Sequence, residues 1–296
     1  MCSLTKEEFL EEYKLQDVYQ EEYIEWGTIQ DIFSDYIDQY SEMTSIKNEL
    51  LQLLENELKE KVHSIESRIK QPKHLIEKII RKICIEDNNK YSEISKENYR
   101  EIVRDLIGIR ILVLSKEEWE IVHNALCNIF CNPNEECRMF MAEKPKAYIR
   151  YGDRDVFHNR IYTAYTNKGY RSQHYIVQYR GWFCEIQVRT IAEEVFGEFD
   201  HKVRYPYRAD NKFLKRYTNT MSQSISMIDE MISTCLQMKD KMWDECSNLF
   251  ENDHYVNWVE RSKNVNLSIE TENVSGELPE DAVTLANNKI LRRREN

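Results

Sequence analysis

The chain has 296 residues, 41% of them apolar, and a formal net charge of -11, enough for one sizeable core and a small accessory unit. No apolar run approaches the roughly 18 residues of a membrane span, and the N-terminus is acidic where a secretory leader would be basic and then apolar. A soluble, cytoplasmic protein with no membrane partner is expected. Eight cysteines without an export signal argue against a disulfide framework. Cys127, Cys131 and Cys137 lack the paired spacing of zinc sites and are expected as buried free thiols.

The charge is unevenly spread. Residues 1–60 hold 16 acidic and 4 basic side chains, a balance of -12 that leaves the rest of the chain at +1. Within that rest, residues 138–171 carry eight Lys/Arg against three acids, a local excess that attracts polyphosphate even on an acidic protein.

In chain order, apolar residues at helical spacing (Ile29, Ile32, Phe33, Tyr36, then Ile46, Leu50, Leu54, Leu58) predict two helices over 7–60 with a break near Thr44 or Ser45. Tyr19, Tyr23 and Trp26 are read as packing residues. Pro72 interrupts the next segment, and His74 to Ile83 is again helical. Asn98 to Leu106 is expected as a helix, Ile109 to Leu114 as a buried strand, Lys116 to Ile129 as a helix and Cys137 to Ala142 as a strand. Glu143 to Lys168 is left unassigned. His174 to Tyr179 and Phe183 to Val188 form a hairpin turning at Gly181. Ile191 to Val203 and Lys212 to Leu249 are helical, the latter with apolar positions from Phe213 through Tyr217, Met221, Ile225, Ile228 and Met231. Strands interleaved with helices give an α+β or mixed α/β domain.

Three segments carry chemistry. On the strand Glu185-Ile186-Gln187-Val188-Arg189, period-two alternation puts Glu185, Gln187 and Arg189 on one face. A carboxylate, an amide and a guanidinium on one face would be costly to bury dry, so that face should line a polar cleft. In Arg104-Asp105-Leu106-Ile107-Gly108-Ile109-Arg110, Gly108 is expected to permit the turn into a buried strand. That leaves Asp105 at the strand's mouth, suited to a metal near phosphates or, more blandly, to a cap or ion pair. In Lys168-Gly169-Tyr170-Arg171-Ser172-Gln173-His174, Tyr170 offers a ring for base stacking, and Arg171 and His174 offer phosphate contacts.

Taken in this order, Arg104 to Arg110, Gly169 to His174 and Glu185 to Thr190 resemble the core motifs of the RelA/SpoT nucleotide pyrophosphokinases. Asp200-His201-Lys202 matches a further family element, and Ser67-Arg68-Ile69-Lys70, with Lys78 eight residues on, resembles the family's ATP-binding segment. The resemblance spans about residues 61–208. It implies an α+β fold: a mixed-sheet, nucleotidyltransferase-like synthetase domain over 61–210, after an acidic helical segment (1–60) and before a C-terminal helical segment (211–265) and a polar, disordered tail (266–296).

The resemblance implies transfer of the β,γ-pyrophosphate of ATP to the 3′-hydroxyl of GDP or GTP, making (p)ppGpp alarmones. Arg68 and Arg110 would stack on the adenine, and Lys70 and Lys78 would neutralise its phosphates. Asp105 and Glu185 would hold Mg2+, with Glu185 also taking the proton of the attacking hydroxyl. Tyr170 would stack on the acceptor base, with Lys168, Arg171 and His174 near its phosphates and Gln187 and Glu194 as supporting groups. None of the seven histidines precedes an aspartate, so the His-Asp pair of the family's hydrolase domain is missing, as expected of a small synthetase-only member.

The sequence also departs from the family. Many guanine-using members have Asn in a Pro-containing basic loop where Lys168 stands, and Tyr162 to Thr166 has no proline. This keeps other acceptors open: the 3′ end of tRNA or an adenine nucleotide, as in toxic relatives. A silent nucleotide sensor would be expected to lose Asp105 and Glu185, and both are present. The acidic helices and the tail would serve either as a docking surface for an antitoxin or regulatory protein, or as plain solvated helix and tail.

Overall fold

The computed structural model describes residues 4–131, 139–150, 156–166, 169–203 and 211–251. Cys137 and the expected tail at 266–296 lie outside the described residues. The chain divides into two compact units, Met1–Leu236 and Gln237–Asn296. Of the second, the described part is the continuation of the last helix. No helix among the described residues is long and apolar enough to cross a membrane.

Three helices, not two, open the chain: α1 (Lys6–Glu12), α2 (Trp26–Asp38) and α3 (Tyr40–Leu58). The break falls at Gln39 rather than Thr44 or Ser45. The Thr44 hydroxyl donates to Tyr40 O one turn back, so it sits inside a continuous helix. The apolar faces expected of α2 and α3 are buried (Ile29, Ile32, Tyr36, Leu50, Leu54), and these helices share one core with the sheet. Their acids have structural work: Asp35 accepts from Tyr99 at 2.7 Å and Arg100 at 3.0 Å, Glu42 from Trp182 Nε1 at 3.0 Å, and Glu49 pairs with Arg180 at 2.9 Å. Trp26 is buried while Tyr23 is exposed.

Next come β1 (Ser64–Ile69) and α4 (Pro72–Cys84). Pro72 stands in the first turn of α4, where its missing N–H costs nothing, and Arg81 and Lys82 in the last turn complement the helix dipole. The helix expected over 98–106 shrinks to α5 (Tyr99–Ile102), because strand β2 (Ile107–Val113) already begins at Ile107. Gly108 therefore lies within β2, not in a turn. Helix α6 (Trp119–Phe130) follows a short 3-10 turn at Lys116–Glu118. Strand β3 is only Phe140–Met141. The unassigned stretch holds β4 (Lys146–Ile149) and β5 (Tyr162–Tyr165).

Strands β6 (Ser172–Tyr179) and β7 (Trp182–Thr190) form the expected hairpin. Its two turn residues, Arg180 and Gly181, have φ of 50° and 88°, the pair of positive values that a two-residue turn matching the strand twist requires. Helix α7 (Ile191–Val203) and helix α8 (Lys212–Glu251) close the described chain.

The sheet runs β1-β2-β7-β6-β4-β5, with β3 on β6. β2/β7 and β4/β5 are parallel and the other pairs antiparallel, which makes an α+β fold with a mixed sheet. One face is apolar and buried, with Ile107, Ile109, Ile111, Tyr175, Val177, Ile186 and Val188. The other carries a polar row in register: Glu66, Arg110, Gln187, His174 and Lys146 lie side by side on five strands.

Helix α8 buries mainly polar side chains, together with Ile225. Thr218, Ser222, Asp229 and Ser233 are buried, whereas Phe213, Tyr217 and Met231 are more than half exposed. The surface it meets is polar: Asp229 pairs with Arg171, Glu230 with Lys116, and Ser222 with the Gly169 carbonyl. The cysteine expectation is met in part. Cys127 and Cys131 are free, but Cys127 is only half-buried and Cys131 is exposed.

Candidate active site

The polar face expected on β7 lines a cleft at the sheet's centre. Asp105, two residues before β2, sits between two ammoniums, with Lys70 Nζ at 3.1 Å and Lys78 Nζ at 2.7 Å from its Oδ2. Burial pushes this carboxyl up, but the two lysines outweigh it and hold it down to about 2. Lys70 follows directly on β1, and its carbonyl accepts from the buried Tyr36 hydroxyl at 2.6 Å, so α2 braces the strand end that carries this charge.

On β7, Glu185 is paired in register with Gly108, which in turn is paired with Arg68. Gly108 has no side chain on that face, so Arg68 packs over it and a cavity opens beside it. Arg68, Arg110, Asp105, Glu185 and Gln187 line it. Glu185 accepts from Gln187 Nε2 at 2.8 Å and stands 2.9 Å from His174 Nδ1. Burial raises the Glu185 carboxyl and the nearby Asp105 charge adds to this, but His174 and Gln187 prevail and keep it below its ordinary value. A second, larger cleft also has Asp105 and Glu185 in its wall, with Lys78, Lys90, Arg104, Lys146, Tyr148 and His174. The two carboxylates, 80 residues apart in sequence, thus face both cavities.

Two buried polar atoms here have no hydrogen-bond partner, Asp105 Oδ1 and His174 Nε2. Such atoms are costly unless a bound group satisfies them. Arg110 pairs with Glu194 and, at 3.0 Å, with Glu198. Arg189 lies on the polar face of β7, as its alternation predicts: it donates to Gln187 at 2.9 Å and lies over the Tyr170 ring at 5.8 Å. Tyr170 is largely buried, which raises its phenol, and its ring is 5.9 Å from that of Tyr148. Gly197 of α7 leaves the space that the Arg189 guanidinium fills.

One expected acceptor contact is not in the cleft. Arg171 is turned away from it: the guanidinium is buried against Glu193 and Asp229. Strand parity explains this, since His174 shares its face with Ser172 and Ile176, and odd-numbered residues point to the other side. Lys168 lies outside the described residues. Sequence reasoning missed Tyr148 and Lys90, and placed Lys144 and Lys146 only within the basic stretch 138–171 expected to attract polyphosphate. The alternation Lys146-Ala147-Tyr148-Ile149, half-buried and buried in turn, was the available signal.

Residues 67–210 match the family described as a region found in RelA / SpoT proteins. A GTP pyrophosphokinase of Bacillus subtilis, YwaC, is 25% identical over 189 residues, 61% of this chain and 75% of that protein. The small alarmone synthetase 1 of Bacillus subtilis superposes with a TM-score of 0.50 at 18% identity, over 69% of this chain and 99% of that one. A GTP pyrophosphokinase family protein of Streptococcus pneumoniae gives 0.48 at 19% identity, over 75% and 96%. The matched region and the curated relative support a transferase of the pyrophosphokinase family. Residues 67–210 thus form a RelA/SpoT-type region.

Proposed function

We propose that this protein transfers the β,γ-pyrophosphate of ATP to the 3′-hydroxyl of a guanosine nucleotide, GDP or GTP. The observation that carries the reading is the shared wall: Asp105 and Glu185 line both cavities, so a donor on one side and an acceptor on the other would meet at the two carboxylates.

The smaller cavity suits the donor. Arg68 and Arg110 offer planar guanidinium faces for a purine, which an ammonium would not, and Lys70 and Lys78 would neutralise its triphosphate. The site also fits Mg2+. The unpartnered Asp105 Oδ1 and the Glu185 carboxylate are hard oxygen donors of the kind that hold this ion together with substrate phosphates. When bound, the ion would supply charge neutralisation to the phosphate oxygens.

Glu185, kept ionised by His174 and Gln187, would accept the proton of the 3′-hydroxyl as its oxygen bonds to the β-phosphorus and AMP departs. Tyr170, held between Arg189 and Tyr148, would stack on the acceptor base. Guanosine is favoured because the curated relative is a GTP pyrophosphokinase.

The test is to incubate the protein with γ-labelled ATP and GDP, GTP, AMP or deacylated tRNA. Label on GDP or GTP supports this reading. Label on tRNA alone replaces the acceptor, and no label despite ATP binding favours a nucleotide sensor.

A further inference from the structure

Tyr170 stands between two peptide groups that are both held by buried side chains. On its N-terminal side the Gly169 carbonyl accepts from Arg150 Nε at 2.8 Å and from the Ser222 hydroxyl of α8. On its C-terminal side the Arg171 N–H donates to Glu193 at 3.0 Å. The orientations of these two planes set φ and ψ of Tyr170, the only soft backbone dihedrals it has, and so fix the direction in which its ring leaves the chain. Gly169 has φ of 81°, and a Cβ there would come within 3.1 Å of Ser222 Oγ. The glycine thus both turns the chain and lets α8 close on its carbonyl.

The side chains that hold these groups are tied to one another. The Arg150 guanidinium reaches Glu193 as well as the Gly169 carbonyl, and the Arg171 guanidinium pairs with Glu193 at 3.2 Å and with Asp229. Thr190, the last residue of β7, accepts from the Glu193 N–H at 3.1 Å and donates to Asp229 at 3.0 Å, which joins the first turn of α7 to α8. Arg150, Arg171, Thr190, Glu193, Ser222 and Asp229 are all buried, Glu193 with 1% of its surface exposed. Two guanidiniums and two carboxylates withdrawn from water carry a desolvation cost that an apolar core would avoid, so such a cluster is better explained by the single arrangement it enforces than by added stability.

We propose that Arg150, Glu193 and Ser222 are positioning residues of the transfer site: by clamping both peptide groups around Tyr170 they hold its ring ready for the acceptor, which gives α8 a part in acceptor binding. This rests on the reading that Tyr170 stacks on the acceptor base. The ring's contacts with Arg189 and Tyr148, at 5.8 and 5.9 Å, then form without a search over backbone conformations, and an arriving acceptor meets little ordering cost.

The experiment compares wild type with three full-length variants. Ser222→Ala removes one donor to the Gly169 carbonyl. Arg150→Lys keeps the charge beside Glu193 but not the guanidinium that spans from Glu193 to Gly169. Ser233→Ala is the control, because Ser233 is buried on the same helix and its hydroxyl lies 3.3 Å from that of Ser115. KM is measured for ATP and for the acceptor that takes label, GDP affinity by calorimetry with a non-hydrolysable ATP analogue present, and amide exchange of Arg171 by NMR. Ser222→Ala and Arg150→Lys should each raise acceptor KM and weaken GDP binding by about three- to tenfold, the size of one lost hydrogen bond. Exchange of the Arg171 amide should quicken, while KM for ATP stays within about twofold. Ser233→Ala should leave both KM values unchanged. Ser222→Ala removes a single oxygen atom and keeps the test decisive should Arg150→Lys not fold.

The inference is overturned if acceptor KM and GDP affinity stay at wild-type values in both variants, if KM for ATP rises as much as that for the acceptor, or if Ser233→Ala has the same effect. If no acceptor takes label, the transferase reading fails on its own, and GDP affinity with Arg171 amide exchange still decides the clamp. Weaker binding with faster exchange in Ser222→Ala supports it, and wild-type values of both overturn it.

Discussion

Lys78 on α4 places its ammonium 2.7 Å from Asp105, at the mouth of β2, and Lys70 closes on the same oxygen from 3.1 Å. The carboxylate is thereby held down to about 2 against the upward push of burial. In the unfolded chain it would titrate near about 3.9. Its contribution to stability is therefore complete above that value and is lost as pH falls toward about 2. Asp105→Asn should lose less stability than wild type between about pH 5 and pH 2, by up to about 2 kcal/mol. Acid titrations followed by circular dichroism check this, and parallel curves would count against the ion pairs.

Asp229 on α8 shows the opposite sign. Burial raises its carboxyl to about 6, more than Arg171 and the Thr190 hydrogen bond lower it. A folded value above the unfolded one stabilises the protein below about pH 3.9, and that contribution fades as pH rises through about 6. Asp229→Asn, which cannot ionise, should gain about 2 kcal/mol relative to wild type between pH 4 and pH 7. Urea titrations at the two pH values measure the difference.

Gly197 matters for what a methyl group would displace. A Cβ there would run into the Arg189 guanidinium, which braces Gln187 and Tyr170. Gly197→Ala favours helix by about 1 kcal/mol, yet transfer should fall roughly tenfold, chiefly through KM for the acceptor. An unchanged acceptor KM would detach Arg189 from acceptor binding.

Arg68→Lys keeps the charge at the donor cavity and removes the flat guanidinium. Stacking of this kind is worth about 0.5–2 kcal/mol, so KM for ATP should rise roughly 3- to 30-fold. Steady-state kinetics with ATP varied at saturating acceptor would show it.

The extent to which the site was legible followed strand parity. Glu185, Gln187 and Arg189 alternate with Ile186 and Val188 on a strand long enough for period two to read clearly, and they share a face as expected. The same rule applied to β6 would have separated Arg171 from His174. Here the attraction of a guanidinium beside a tyrosine obscured the parity that sends Arg171 to the buried Glu193 and Asp229. β4 and β5 span four residues each, too short for alternation alone to establish a strand. Helix α8 misled for another reason. Its apolar stripe is genuine, but the surface beneath it displays Arg171, Lys116 and the Gly169 carbonyl, so the hydroxyls and acids turn inward. Pattern identifies an amphipathic helix without saying which face its neighbours want.

The most direct measurement is transfer by Glu185→Gln beside its affinity for ATP. The amide keeps the shape of the side chain but cannot take a proton from the acceptor hydroxyl. Pyrophosphate transfer should fall by at least about 100-fold with ATP bound within several-fold of wild type. A variant that turns over at the wild-type rate would contradict it.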